Sequence, residues 1–289
     1  MKNNIAKFSC LMLFLVMAGC ATSQGVRARL EPLTDDSGWF FLAPDDLTLG
    51  THHTRHAEVF GKYVKGTYNY AVIEAIDKVQ ATAMDGGGYF TGIKAKPTES
   101  PIGYELKLFG GSLLDPPRTT SYCSGSSYTA FIEALNRIDP RGASRLSPER
   151  FEAMRMQEPD GGRREDTVKY WGKWNDDGYG SQYALVQYSG MGVEVLPRQA
   201  RPGDFMNISW KKGGGHSVVF LGWLVNDKGE KGLVYWSSQR GTNGLGDAVL
   251  SSIERIRNVK IVRLTRPENL YTLDVDQPVK RKIPGDPIE

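Results

Sequence analysis

The chain has 289 residues, 40% of them hydrophobic and 24% charged, with a formal net charge of +3 at neutral pH. That length suits one large domain or two small ones. The charge is small and the basic residues form no stripe, which argues against a nucleic-acid partner. No segment after the first twenty residues is long and apolar enough to span a bilayer.

The first twenty residues fall into three zones. Lys2 and Lys7 flank a short polar start, Phe8 to Met17 is almost wholly apolar, and Ala18-Gly19-Cys20 brings small residues up to a cysteine. This is the pattern of a secretory signal with a processing site, over residues 1–19. Met17-Ala18-Gly19-Cys20 resembles the bacterial lipobox. The resemblance implies cleavage before Cys20, acylation of that cysteine and a lipid anchor. At roughly 0.8 kcal/mol per buried methylene, two or three chains hold a protein on a membrane durably. Ala21 after the cysteine, by the same resemblance, favours the outer membrane, facing the periplasm. Residues 20–50 read as a tether followed by a packing segment with an apolar knot at Trp39, Phe40, Phe41 and Leu42. The knot could also cover a cleft as a flap.

One large domain is expected over 51–276. Tyr63 to Met84 has apolar residues mostly at helical spacing and is stopped by Asp85-Gly86-Gly87-Gly88. Tyr104 to Phe109 alternates and suits a strand. From Ser124 a helical face runs through Tyr128, Phe131, Leu135 and Ile138. Ser147-Pro148-Glu149 predicts a capped helix of about two and a half turns. Between Gly161 and Gly180, Tyr170, Trp171 and Trp174 suggest one more helix packed on the body. Strands follow at Phe205 to Trp210, His216 to Val225, Leu233 to Ser238 and Val259 to Leu264, with Asn226-Asp227-Lys228-Gly229 as a hairpin turn. Residues 277–289, rich in Pro, Lys and Asp, read as a disordered tail. Helices first and an antiparallel sheet afterwards give an α+β fold.

Of three cysteines, Cys10 leaves with the signal and Cys20 takes lipid, so Cys123 stands alone in a compartment that oxidises paired thiols. It sits where a loop becomes a helix. The amides and dipole of a helix start favour a thiolate and could hold an acyl oxyanion. A thiol nucleophile needs a histidine base. His216 heads an apolar strand after three glycines, and folding the hairpin brings Gln239 opposite it; a one-residue slip would bring Ser238, and Ser237 is also near. His52, His53 and His56 have no following Glu or third ligand at a familiar metal spacing. They read as a solvated polar segment, and no metal is expected.

Tyr122-Cys123-Ser124-Gly125 before a helix, then Arg201-Pro202-Gly203-Asp204-Phe205, then Gly215-His216-Ser217-Val218, resemble the NlpC-like and CHAP branch of papain-like cysteine peptidases. The matching stretches cover about a quarter of the mature chain. The resemblance implies a papain-like fold and hydrolysis of an amide in peptidoglycan stem peptides. Cys123 would be the nucleophile, His216 the base and Gln239 the group that orients it, with no cofactor. The chain departs from the family pattern in three ways. Cys123 and His216 are 93 residues apart, longer than usual, so Pro140 to Leu196 is expected to be a helical insertion. Tyr122 stands where Asp is common. The family's oxyanion tyrosine, placed just before a Gly-Gly, has Tyr104 as its nearest counterpart. A non-catalytic envelope-binding module of the same fold, or a thiol hydrolase or acyltransferase with another substrate, fits the same residues.

Overall fold

The computed structural model describes residues 30–34, 38–47, 50–92, 95, 102–116, 118–162, 171, 180–279 and 284–289. The signal, Cys20, Tyr170 and Trp174 lie outside the described residues. The fold is mixed α+β with antiparallel pairing, as the order of the sequence elements predicts.

Its centre is a six-stranded sheet. The strands are β3 (Gly192–Val195), β4 (Phe205–Trp210), β5 (Gly215–Val225), β6 (Lys231–Gln239), β7 (Gly244–Leu250) and β8 (Ile256–Leu264), in the order β3-β8-β4-β5-β6-β7. Both faces are covered. Helices α2 (Tyr68–Gln80) and α3 (Cys123–Ile138) pack on the face that carries Phe205, Val219, Leu221, Trp236 and Val262. The other face carries Met206, Val218, Phe220 and Ile261, with Trp39, Phe40 and Ile288 packed onto it. Burial on both sides explains why β5 reads as a continuous apolar run instead of an alternating one.

The remaining elements fit around this sheet. Helix α1 (His56–Val59) is a single turn, and β1 (Leu106–Leu108) pairs with β2 (Gly111–Leu114) as a separate hairpin. Phe109 and Gly110 both adopt positive φ, which makes the tight turn between them. Helix α4 (Pro148–Ala153) begins at Ser147, whose hydroxyl accepts from the Arg150 amide at 3.3 Å.

Several boundaries differ from the sequence reading. Helix α2 starts at Tyr68, five residues after the expected Tyr63, because Gly66 takes a left-handed φ of 80° and breaks the run. The stretch expected to be a helical insertion also contributes β3, an edge strand on β8. The tail expected to be disordered instead lays Asp286 against Val259, with backbone hydrogen bonds of 2.9 and 2.7 Å. There it extends the pairing along the part of β8 that β3 leaves uncovered.

The packing segment docks at the far end of β5. Trp39 meets Trp223 edge-on at 5.4 Å, and the Leu42 amide donates to the Trp223 carbonyl at 2.9 Å. Gly222 is required here, since a Cβ would lie 2.4 Å from Leu42. Seven residues along a strand separate Trp223 from His216, about 23 Å. Trp39, Phe40 and Leu42 of the knot therefore pack on the sheet away from His216, while Phe41 stays exposed.

The Pro-Gly-Asp turn is pinned from inside. Asp204 is fully buried and accepts two hydrogen bonds from the Arg263 guanidinium, both 2.9 Å. The Asn69 side-chain amide donates to it at 2.7 Å, and the Arg201 backbone amide at 2.8 Å. One carboxylate thus ties β4 to β8 and to α2.

Candidate active site

Helix α3 opens with Cys123 as its first residue. Tyr122 precedes it in extended conformation and provides no side-chain cap, so the helix start is not occupied by an acceptor from Tyr122. A run of small hydroxyl residues then lets the helix approach the sheet closely. Ser127 and Ser217 share a hydrogen bond of 2.7 Å, the Ser238 amide donates to Ser126 at 3.0 Å, and the Ser121 hydroxyl donates to Ser238 at 2.7 Å. The Trp171 indole donates to Ser127 at 2.8 Å while its ring stacks on Phe131. Trp171 is thus core packing, as its composition suggests. The first turn of α3 is fixed against the residues that neighbour His216 and Gln239 in β5 and β6.

His216 lies at the start of β5. Strand alternation turns Ser217 toward α3 and the His216 ring to the opposite side, where it meets Tyr235 edge-on at 5.6 Å and Trp210 at 6.4 Å. Gln239 Oε1 lies 3.0 Å from His216 Nε2. The orientation of the Gln239 amide is set by its other end, which points its nitrogen at the Gly246 carbonyl at 3.5 Å. Oε1 therefore accepts, Nε2 carries the proton, and Nδ1 keeps its lone pair for use as a base. Among the described residues Gln239, and neither Ser238 nor Ser237, is bonded to the His216 ring. Ser238 is bonded to Ser121, and Ser237 donates to the Ser217 carbonyl at 2.7 Å.

Two phenols mark the surroundings of the thiol. A charge on Cys123 acts on both Tyr235 and Tyr89. Burial first, and Cys123 second, push Tyr235 up to about 12. The Tyr235 ring therefore both feels the charge of the thiol and meets the His216 ring edge-on. Tyr89 stacks on Tyr122 at 5.2 Å, and its segment bridges to Ser121, two residues before Cys123. Tyr104 does not take this place. Its hydroxyl donates to Glu133 at 2.8 Å, near the middle of α3. Sequence reading missed Tyr89 because here the glycine pair precedes the tyrosine, as Gly87-Gly88-Tyr89, instead of following it.

Burial lowers His216 to about 4, against the opposing pull of the Gln239 hydrogen bond. The ring therefore stays neutral, and able to accept a proton, from the ordinary histidine value near 6.5 down to about 4. The acid limb of kcat/KM is expected well below pH 6.5; a midpoint at or above 6.5 would contradict this environment. Gln239→Ala is expected to lower kcat/KM about 10-fold to 100-fold by freeing the ring, whereas Ser238→Ala leaves it within about threefold. Steady-state kinetics on the two variants separates these outcomes.

A cavity of about 400 Å³ lies behind the first turn of α3, lined by Ser121, Gly125, Ser126 and Thr129. Neither Cys123 nor His216 lines it, so it is not the space where a bond would be cut.

The three neighbouring histidines overturn the solvated reading. His53 is 7% exposed and His56 1%, and both bond to Asp247 on β7 at 2.9 Å. His52 reaches the Thr242 carbonyl at 2.8 Å.

Compared with known proteins, the chain matches no family model, no curated protein and no solved structure.

Proposed function

We propose that the protein is a cysteine-dependent amide hydrolase with a papain-like fold of the NlpC-like kind, acting on peptidoglycan stem peptides and held at the envelope by lipid on Cys20. The observation that carries this reading is the hydrogen bond from His216 Nε2 to Gln239 Oε1. It leaves Nδ1 as the base while the start of α3 is bound to the same two strands. In the reaction His216 Nδ1 takes the Cys123 proton and Sγ attacks the amide carbonyl carbon. The tetrahedral oxyanion is held by the amides at the start of α3, with the Tyr89 phenol beside it. His216 then returns the proton to the leaving amine as the C–N bond breaks. Water, deprotonated by His216, hydrolyses the thioester and restores the thiol. No step calls on a cofactor.

Incubating purified sacculi with the protein tests the reading. Soluble fragments with newly freed stem-peptide amines are expected from the parent and not from Cys123→Ala. Cys123 is only 1% exposed, which favours a second reading, a non-catalytic module that binds the envelope through the same fold. Sacculus binding without release of fragments by the parent would support that module and sink the hydrolase.

A further inference from the structure

The buried histidine pair carries more than packing. The Asp247 carboxylate gives Oδ2 to His53 Nε2 and Oδ1 to His56 Nε2, each at 2.9 Å. One donor atom from each of His53, His56 and Asp247 lies within 4.8 Å of the other two. Behind His56, Asp77 of α2 accepts the Nδ1 proton at 2.7 Å. Asp77 is itself held by the backbone amides of His56 and Ala57 at 2.9 and 2.8 Å. A carboxylate fixing the far nitrogen of a histidine whose near nitrogen faces other ligands is the usual outer arrangement of a metal site.

The far side of His53 is held as well: the Arg55 amide donates to His53 Nδ1 at 3.2 Å, which leaves Nε2 turned toward Asp247 at 2.9 Å.

We propose that His53, His56 and Asp247 bind a divalent transition-metal ion of the zinc class, with Asp77 as the group that orients His56. Two imidazoles and one carboxylate suit such an ion and not calcium or magnesium, which take oxygen donors. On binding, His56 gives up its Nε2 proton to solvent and keeps the Nδ1 proton on Asp77. His53 moves its proton from Nε2 to Nδ1, and the 3.2 Å contact from Arg55 gives way. The ion thus displaces the protons that now bridge the two rings to Asp247, and its affinity falls as pH falls. Water completes four-coordination. The ion ties the 51–56 loop and α2 to β7, where the Asp247 amide already donates to the Thr51 carbonyl at 2.9 Å. Gly246, the residue before Asp247, holds Gln239; the benefit to catalysis therefore rests on the proposed hydrolase, but the metal site does not.

The test uses the full chain in detergent, carrying Cys123→Ser so that the thiol cannot compete for zinc. After chelation, loading with zinc and buffer exchange, one equivalent of zinc is expected to remain. The melting temperature should rise by about 5–10 °C at a hundredfold excess over the dissociation constant. His56→Ala should lose the zinc and the shift. If that variant does not fold, His53→Ala carries the comparison, with affinity at least tenfold weaker. Cobalt(II) in place of zinc should give visible bands of a nitrogen–oxygen site without thiolate charge transfer. A Cys123→Ser chain that keeps no zinc and melts unchanged would overturn the proposal, as would equal retention by His53→Ala. Metal content is read without any hydrolysis assay, so failure of the hydrolase reading leaves this result distinct.

Discussion

Asp204→Ala is expected to destabilise the fold by about 3–5 kcal/mol, with a fall in Tm of roughly 6–20 °C in thermal unfolding followed by circular dichroism. The size comes from what is left behind. Arg263 is 3% exposed, and removing Asp204 takes two 2.9 Å charge-assisted hydrogen bonds from its buried guanidinium. The same change takes away the acceptor for Asn69 and for the Arg201 amide. Replacing Asp204 and Arg263 together by methionine should recover part of the loss, because the desolvated charge goes with its partner. A single-variant loss below about 1 kcal/mol would show that water reaches the pair and that the Pro-Gly-Asp turn is held by something else.

His216→Ala should lower kcat/KM for amide cleavage by about 10²-fold to 10⁴-fold with little change in KM. The ring touches Tyr235, Trp210 and Gln239 and bears no fold-wide network, so the effect should fall on the chemical step. Equal melting temperatures for parent and variant, measured alongside, keep that inference clean. Activity within about threefold of the parent would remove His216 from the mechanism.

The parts legible in the sequence are those whose signals are local. Strands β4, β5 and β6 are apolar runs bounded by turn residues, and the five-residue loop at Asn226 to Glu230 closes as its composition predicts, with the Asn226 amide on the Glu230 carbonyl at 2.9 Å. That turn sets Val225 on Lys231, and a bulge between Phe220 and Gly222 shifts the pairing by one residue, which brings Gln239 to His216. Helix α4 announces itself through Ser147 and Pro148. What escaped is tertiary in origin. Strand β7 begins Gly-Leu-Gly-Asp, a poor strand pattern, because its glycines admit other backbone. A Cβ at Gly244 would lie 2.0 Å from the Gly86 carbonyl oxygen, and one at Gly246 would lie 2.9 Å from that of Thr51. Asp247 reads as an exposed acid until the fold brings His53 and His56 to it across some 190 residues of sequence. For the same reason three histidines near the start of the domain look solvated when taken alone. Tyr89 was hidden differently. Its place beside Cys123 depends on the 87–90 segment running alongside Ser121, which no period in the sequence announces.

The central claim is that Cys123 and His216 form one coupled pair, and the rate of Cys123 alkylation by iodoacetamide as a function of pH tests it most directly. In the parent the rate should rise with an apparent pKa well below the ordinary thiol value near 8.5, because the thiolate holds its proton on His216 as an imidazolium that the isolated ring would not keep. In His216→Ala that midpoint should move upward. Slow or absent alkylation in both proteins would mean a sealed structural cysteine, and the hydrolase would give way to the binding module.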